Sequence, residues 1–201
     1  MTPAYNGSGI DGTAYTDVND LAHHTPGWLN DLISAWSLYG LTVFAVLMLA
    51  AWWQARRTGS PSALTALAVP LITLAGFGVD LLLKLVVRED RPCQSLHVTV
   101  LEACPGPGDW SFPSNHAAIA SAAAVALLFV SRRLGTVALI AAVLMAASRV
   151  WVGAHYPHDV LAGLALGALV AATCTQVIHR RQDALADRLR HSPLRPLLTT
   201  P

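Results

Sequence analysis

The stretch PSALTALAVPLITLAGFGVDLLLKLVV, residues 61–87, decides the class of this chain. Asp80 and Lys84 are its only charged residues, and it is longer than the roughly 20 residues that cross a hydrocarbon core of about 30 Å. The chain of 201 residues has 54% hydrophobic and only 12% charged residues, whereas soluble domains usually have about 25% charged residues. We therefore expect an integral membrane protein.

Four further apolar segments lie on either side of this stretch, at residues 33–53, 114–131, 134–152 and 157–178. The first 32 residues are polar and then half apolar, which is typical of a helix in the membrane interface, although this helix could also insert. The pattern predicts an all-α, polytopic bundle with five or six membrane helices and an interfacial N-terminal helix. The expected parts are the N-terminal segment 1–32, a membrane domain 33–178 and a basic cytoplasmic tail 179–201.

Positive charge is unevenly distributed along the chain. Nine of the 13 Lys and Arg residues follow apolar segments in three clusters: Arg56 and Arg57; Arg132 and Arg133; and Arg180, Arg181, Arg188, Arg190 and Arg195. With five spans these clusters lie on one side of the membrane, which the positive-inside rule identifies as the cytoplasm. The other four are Lys84, Arg88, Arg91 and Arg149. Their outer position suggests a site for an anionic group such as a phosphate. The net charge of +1 argues against a nucleic-acid partner.

The first of three polar segments is KLVVREDRP, residues 84–92. A lysine within an apolar span is costly, so Lys84 is a candidate functional residue together with Arg91. The alternative is a structural pair between Lys84 and Asp80, which lies one helical turn earlier.

The second segment is FPSNH, residues 112–116. Ser114 is suited to cap a helix, so that the free amides of the first turn would face a bound anion. His116 lies in that first turn. The alternative is an ordinary helix start in which His116 is a polar anchor.

The third segment is SRVWVGAHYPHD, residues 148–159. Pro157 suits the first position of a helix, which makes Asp159 the third residue, able to reach back toward the cap. Asp159 could then accept a hydrogen bond from one nitrogen of His155 and leave the other as a nucleophile. The alternative is that Asp159 only caps the helix. His158 has no evident partner, and we assign it to the cap or to solvent.

Together the three segments resemble the signature of the type 2 phosphatidic acid phosphatase superfamily. That signature is Lys, six residues, Arg-Pro; then Pro-Ser-Gly-His; then Ser-Arg, five residues, His, three residues, Asp. Order and spacing agree here. The departure is Asn115 in place of Gly, the residue that lets the backbone approach a phosphate most freely.

The resemblance implies a metal-independent phosphatase or pyrophosphatase that acts through a phosphohistidine. His155 would be the nucleophile, Asp159 its orienting partner and His116 the general acid; the residues alone left the roles of the two histidines open. The phosphate would be bound by Lys84, Arg91, Arg149, Ser114 and Asn115. We expect no cofactor and no metal, because the acidic pair Glu89 and Asp90 is too sparse to chelate magnesium diphosphates.

The expected partner is a lipid phosphate that reaches the outer face of a bacterial plasma membrane from the bilayer. The short chain and its helical leader resemble the bacitracin-resistance type of undecaprenyl pyrophosphate phosphatase. Alternatives are a phosphatidic acid or phosphatidylglycerol phosphate phosphatase, phosphoryl transfer to another lipid, or a non-enzymatic binding or transport protein. Such a binding protein would have no use for His116 and His155. Oligomeric state and the pairing of Cys93 with Cys104 stay open.

Overall fold

The computed structural model describes residues 4–190 and 195–198 and is helical throughout its regular elements. The helices are α1 Ser8–His23, α2 Gly27–Tyr39, α3 Leu41–Thr58, α4 Ser60–Val87, α5 Pro92–Ser95, α6 Asn115–Leu128, α7 Arg132–Trp151, α8 Pro157–Arg190 and α9 Arg195–Leu198. Within the described residues the only β-type pairing is an isolated bridge between Tyr5 and Glu89. The predicted all-α class is confirmed. Parts of the predicted tail, residues 191–194 and 199–201, lie outside the described residues.

Three of the described helices, α4, α7 and α8, are long and apolar enough to cross a membrane. The pair α2 and α3 passes the same test together but is bent by 53°. Helix α6 is apolar but has only 14 residues, fewer than the roughly 20 of a typical span. Two boundaries differ from the prediction: residue 32 lies inside α2, and α8 continues beyond residue 178 to Arg190.

The predicted apolar segment 33–53 does not form one continuous helix, because the chain bends at Gly40 between α2 and α3. A Cβ atom at Gly40 would lie only 2.7 Å from the Met145 Cε atom of α7. The same Cβ atom would lie 2.5 Å from the Trp36 carbonyl oxygen, so a side chain at this position would force the backbone of the preceding turn to shift. Helix α2 diverges from the direction of α3 and packs against α7.

The alanine-rich helix α6 forms the centre of the bundle and packs against α3, α4, α7 and α8. Small side chains allow membrane helices to approach closely. A Cβ atom at Gly163 of α8 would lie 2.6 Å from the Ser114 carbonyl oxygen. This close approach holds the start of α6 beside the start of α8, and so brings the second and third polar segments together.

The two ends of the bundle differ in character. At one end, Thr65 donates to Gln182 at 3.0 Å and the rings of Phe129 and His179 lie 6.3 Å apart. The arginine pairs at the end of α3 and the start of α7 lie at this end. The other end contains the long loop between α4 and α6, the short loop between α7 and α8, and α1.

Helix α1 covers the loop end through a buried face. Tyr15 donates to the Gly153 carbonyl at 3.0 Å, and Asn19 donates to the Thr99 carbonyl at 3.1 Å. A disulfide between Cys93 and Cys104 closes the long loop, which answers the question that the sequence left open. The polar segments therefore lie under a cross-linked loop and a packed helix.

Candidate active site

The structure brings the predicted site residues to one end of the bundle. They are Lys84 at the end of α4, Arg91 before α5, Ser114, Asn115 and His116 around the start of α6, Arg149 near the end of α7, and His155 and Asp159 on either side of the start of α8. Arg91 contacts His155, and the Ser114 amide donates to the Asp159 carbonyl at 3.1 Å. Residues far apart in the sequence thus form one cluster.

His155 is buried at the centre of this cluster, with 2% of its surface exposed. Its Nε2 atom lies 3.3 Å from Arg91 Nη1. A guanidinium group can only donate, so Nε2 accepts and the ring proton resides on Nδ1. Nδ1 lies 3.3 Å from Ser111 Oγ and 3.4 Å from Asp159 Oδ2. His155 therefore directs the lone pair of a neutral ring toward the cations.

The environment of His155 keeps the ring neutral. Burial lowers the pKa of His155 well below its ordinary value of 6.5, and the charges of Arg91, Lys84 and Arg149 lower that pKa further. A protonated ring would have no lone pair for attack on phosphorus. The cations that would bind a phosphate therefore also maintain the nucleophilic form of His155.

Arg91→Gln is expected to move the acidic limb of the pH profile of kcat/KM to higher pH. In the parent protein this limb lies well below pH 6.5, because the lowered pKa delays protonation of His155 as the pH falls. Removal of the Arg91 charge raises that pKa, although burial still holds it down. Profiles of kcat/KM against pH for both proteins measure the shift.

The matched control is Arg88→Gln, since Arg88 is bound to the Leu85 carbonyl at the end of α4 and is not among the main charges that act on His155. Ionisation of the substrate affects the pH profiles of the parent protein and of both variants equally, so it does not contribute to the difference between them. An unmoved acidic limb in Arg91→Gln would contradict the assignment of that limb to His155.

Asp159 caps α8, one of the two roles considered from the sequence, and reaches His155 only through Ser111. Its Oδ2 atom accepts from the Tyr156 amide at 2.8 Å, which caps α8, and from the Ser111 hydroxyl at 2.5 Å. The predicted reach back to the cap is confirmed. The separation of 3.4 Å between Asp159 and His155 is long for a hydrogen bond. The Ser111 hydroxyl lies against both groups and bridges them.

Sequence reasoning missed Ser111, which directly precedes the second polar segment and is fully buried. Its position next to FPSNH was the available signal. Nothing in the spacing of the motifs indicated that its hydroxyl would lie between the His155 ring and the Asp159 carboxylate, because that contact joins residues 44 and 48 positions apart.

Ser111→Ala is expected to lower kcat about 10- to 100-fold, as loss of a buried hydrogen bond costs about 1–3 kcal/mol. The KM should change little, because Ser111 holds the ring and not the phosphate. Ser111→Thr retains the hydroxyl and should restore part of kcat. The control Ser95→Ala removes a hydroxyl that binds Tyr156 at 2.7 Å. Equal kcat values for Ser111→Ala and Ser95→Ala would rule out the bridging role.

The Lys84 ammonium is held by the long loop. It donates to the carbonyls of Trp110 at 2.6 Å and Ser111 at 3.0 Å. The alternative pair with Asp80 is not made, and the buried Asp80 carboxylate has no hydrogen-bond partner among the described residues. Lys84 therefore faces the site and not its own helix.

Both arginines of the site have acidic partners that sequence reasoning missed. Arg91 binds Asp109 at 2.9 Å and also donates to the Ala154 carbonyl. Arg149 binds Glu102 at 3.1 Å and donates to the Ser37 hydroxyl of α2. These carboxylates come from the long loop and hold the guanidinium groups in position.

The start of α6 has buried polar atoms without partners among the described residues. Ser114 is at the predicted N-cap, but its hydroxyl makes no cap hydrogen bond. The Ser114 Oγ and Asn115 Oδ1 atoms are buried without a partner in the described part of the chain. His116 makes no hydrogen bond to the described residues and lies within electrostatic range of Arg149, Arg91 and Lys84. A helix start of this kind suits an anion.

The assignment of His158 to the cap or to solvent is wrong. Its side chain is only 15% exposed and binds Asp11 at 2.7 Å and Glu89 at 2.9 Å. These contacts tie α1 to the site end. Ligand atoms of Glu89, His158 and Asp159 lie within 4.8 Å of one another, close enough for a metal ion. The ion pairs of His158 explain why these side chains lie close together. That the protein needs no metal stays a prediction.

A helical membrane bundle that gathers a neutral histidine, a carboxylate and three cations at one end has the site of a phosphohydrolase. The chain belongs to the PAP2 superfamily, whose sequence profile matches residues 62–183. It is a multi-pass membrane enzyme that hydrolyses phosphate esters, and its substrate is a lipid of the membrane.

Several curated proteins are similar to this chain. The undecaprenyl-diphosphatase BcrC of Bacillus subtilis is 31% identical over 155 residues, which are 76% of each chain. An undecaprenyl-diphosphatase of Sulfolobus acidocaldarius is 41% identical over 47% of this chain and 46% of its own length. A decaprenylphosphoryl-5-phosphoribose phosphatase of Mycobacterium tuberculosis is 38% identical over 53% of this chain and 57% of its own length.

A solved structure supports the fold. The crystal structure of a transmembrane PAP2-type phosphatidylglycerolphosphate phosphatase from Bacillus subtilis superposes with a TM-score of 0.51. The two chains are 20% identical, and the match covers 90% of this chain and 88% of the other. The bundle is therefore shared beyond the motif residues.

Proposed function

We propose that this protein hydrolyses undecaprenyl diphosphate to undecaprenyl phosphate and inorganic phosphate through a phosphohistidine. The observation that carries the chemistry is the buried, neutral His155, whose Nε2 lone pair points toward Arg91. Support for the substrate comes from the similarity to BcrC, which extends over 76% of both chains. The mycobacterial relative acts, by its name, on decaprenylphosphoryl-5-phosphoribose, which also carries a polyprenyl chain.

In the first step, His155 Nε2 attacks the terminal phosphorus in line with the bond to the bridging oxygen. That bond breaks, and His116 donates a proton to the departing lipid phosphate. The new phosphohistidine carries a positive ring, which the Asp159 carboxylate stabilises through Ser111. Lys84, Arg91 and Arg149 hold the equatorial oxygens as charge redistributes.

In the second step, water attacks the phosphohistidine and His116, now unprotonated, accepts its proton. The phosphorus–nitrogen bond breaks, its electron pair returns to His155, and inorganic phosphate leaves. The Ser114 hydroxyl, the Asn115 amide and the first-turn amides of α6 add donors for the phosphate oxygens. Each residue ends in the state in which it began, so the cycle needs no cofactor.

Phosphate release from undecaprenyl diphosphate, phosphatidic acid and phosphatidylglycerol phosphate, measured side by side in detergent with excess EDTA, tests this function. We expect the highest kcat/KM for undecaprenyl diphosphate and no effect of EDTA. A preference for a glycerolipid would replace the proposed substrate. Loss of activity in EDTA that added magnesium restores would contradict the metal-independent mechanism. Release from none of the lipids would favour a binding or transport protein.

We also propose that the site faces the outside of a bacterial plasma membrane. The arginine clusters lie at the opposite end of the bundle, which the positive-inside rule assigns to the cytoplasm. The disulfide at the site end suits an oxidising compartment. A membrane-impermeant maleimide should label Gly106→Cys in intact cells and Thr58→Cys only after permeabilisation. The reverse pattern would invert the topology.

A further inference from the structure

An apolar groove runs between α2 and α7 on the side of the bundle. Its volume is about 400 Å³, within the range of about 300–1,000 Å³ that is typical of ligand sites. The walls are Leu32, Ile33 and Trp36 from α2, and Leu144, Ala147 and Trp151 from α7. The bend of 53° between α2 and α3 gives α2 a direction of its own beside α7.

The groove lies beside the part of α2 and α7 that contributes to the candidate active site. Ser148 lines the groove, and the next residue, Arg149, is a predicted phosphate ligand. On the opposite wall, Trp36 precedes Ser37, whose hydroxyl accepts a hydrogen bond from Arg149. The same two helices therefore form the groove and hold one cation of the site, which places the groove within one residue of Arg149 along α7 and of Ser37 along α2.

A second apolar groove of similar size does not lie beside the candidate active site. It has a volume of about 440 Å³ and lies between α3 and α4, where Ala45, Trp52 and Leu197 are among its lining residues. Trp52 and Leu197 lie at the end of the bundle that carries the arginine clusters. No predicted phosphate ligand lines this second groove. Proximity to the cations distinguishes the α2–α7 groove from this other apolar surface.

We propose that the α2–α7 groove binds the hydrocarbon chain of the lipid substrate next to its phosphate group. The proposal rests on the proposed function, because it assigns a place to the chain of that same substrate. Bilayer lipids are as apolar as the groove, so transfer of the chain from bilayer to groove provides little driving force. The groove orients the substrate through the fit of its walls to the first part of the hydrocarbon chain, and this orientation aligns the phosphate with His155.

The test fills the groove and compares substrates with and without a long chain. Ala147 is exposed on the groove wall, so Ala147→Phe narrows the groove without entering the core. We expect kcat/KM for undecaprenyl diphosphate to fall about tenfold or more, equivalent to about 1.4 kcal/mol. For isopentenyl diphosphate, which has the same head group and a five-carbon chain, kcat/KM should stay unchanged.

The matched control is Ala45→Phe, which places the same ring on an exposed alanine of the α3–α4 groove. This variant should act on both substrates as the parent protein does. Leu144→Trp narrows the α2–α7 groove from another exposed position and should reproduce the chain-dependent loss. Thermal unfolding of each variant in detergent verifies that the fold is intact.

Equal losses in Ala147→Phe and Ala45→Phe would overturn the groove assignment, as would an equal loss for the short and the long substrate. The proposed function fails separately, if the parent protein does not hydrolyse undecaprenyl diphosphate. In that case kcat/KM is compared for long- and short-chain forms of whichever lipid phosphate the protein hydrolyses. A loss in Ala147→Phe that is confined to the long-chain form still assigns the chain to the α2–α7 groove.

Discussion

Replacement of His155 with Asn is expected to abolish phosphate release, with a loss in kcat of about 10⁴-fold or more, as is usual when a covalent nucleophile is removed. Asn retains polarity and approximate size, so the hydrogen bonds of Arg91 and Ser111 can partly persist. The loss then reflects chemistry and not collapse of the site. The rate of phosphate release at saturating undecaprenyl diphosphate measures this loss in kcat.

Trapping of the intermediate makes this prediction specific. Brief exposure of the parent protein to radiolabelled substrate, followed by denaturation, should give a phosphorylated protein that is labile to acid and stable to alkali. His155→Asn should give none. The control is His97→Asn, which changes an exposed loop histidine with a φ of 54°, a conformation that Asn adopts readily. Undiminished labelling of His155→Asn would place the nucleophile elsewhere.

The second large effect is expected for His116→Asn. Loss of a general acid or base typically costs about 10²–10⁴-fold, and His116 would serve in both steps. For substrates with a poor leaving group, both formation and hydrolysis of the phosphohistidine should slow. For p-nitrophenyl phosphate, whose leaving group needs no proton, the first step should remain fast.

This difference predicts a burst of p-nitrophenol by His116→Asn, equal in amount to the enzyme and followed by slow turnover. The phosphorylated protein should accumulate during the slow phase. Neither the parent protein nor His97→Asn should accumulate it to the same extent. A uniform loss for all leaving groups, without a burst, would mean that His116 binds the phosphate and does not transfer protons.

The candidate site residues could be predicted from the sequence, because within each of the three polar segments they lie only a few positions apart. The segment from Lys84 to Arg91 covers the end of α4 and the turn after it, and the segment from His155 to Asp159 covers the start of α8, so short stretches of chain encode both. The same holds for the cap of α8, where Pro157 and Asp159 have the predicted positions.

Contacts between distant segments could not be predicted in this way. Lys84 binds carbonyls of the long loop and not Asp80, which only the packing of that loop determines. His158 meets Asp11 across 147 positions of sequence.

By itself, therefore, the sequence determined the membrane class, the asymmetry of charge and the identity of the candidate site residues, since composition and short-range spacing are properties of the linear chain. Only the tertiary structure decided which nitrogen of His155 carries no proton, that Ser111 bridges the ring to Asp159, and that an apolar groove lies between α2 and α7 beside the site. These features depend on the packing of helices that are far apart in sequence, and no local pattern encodes that packing.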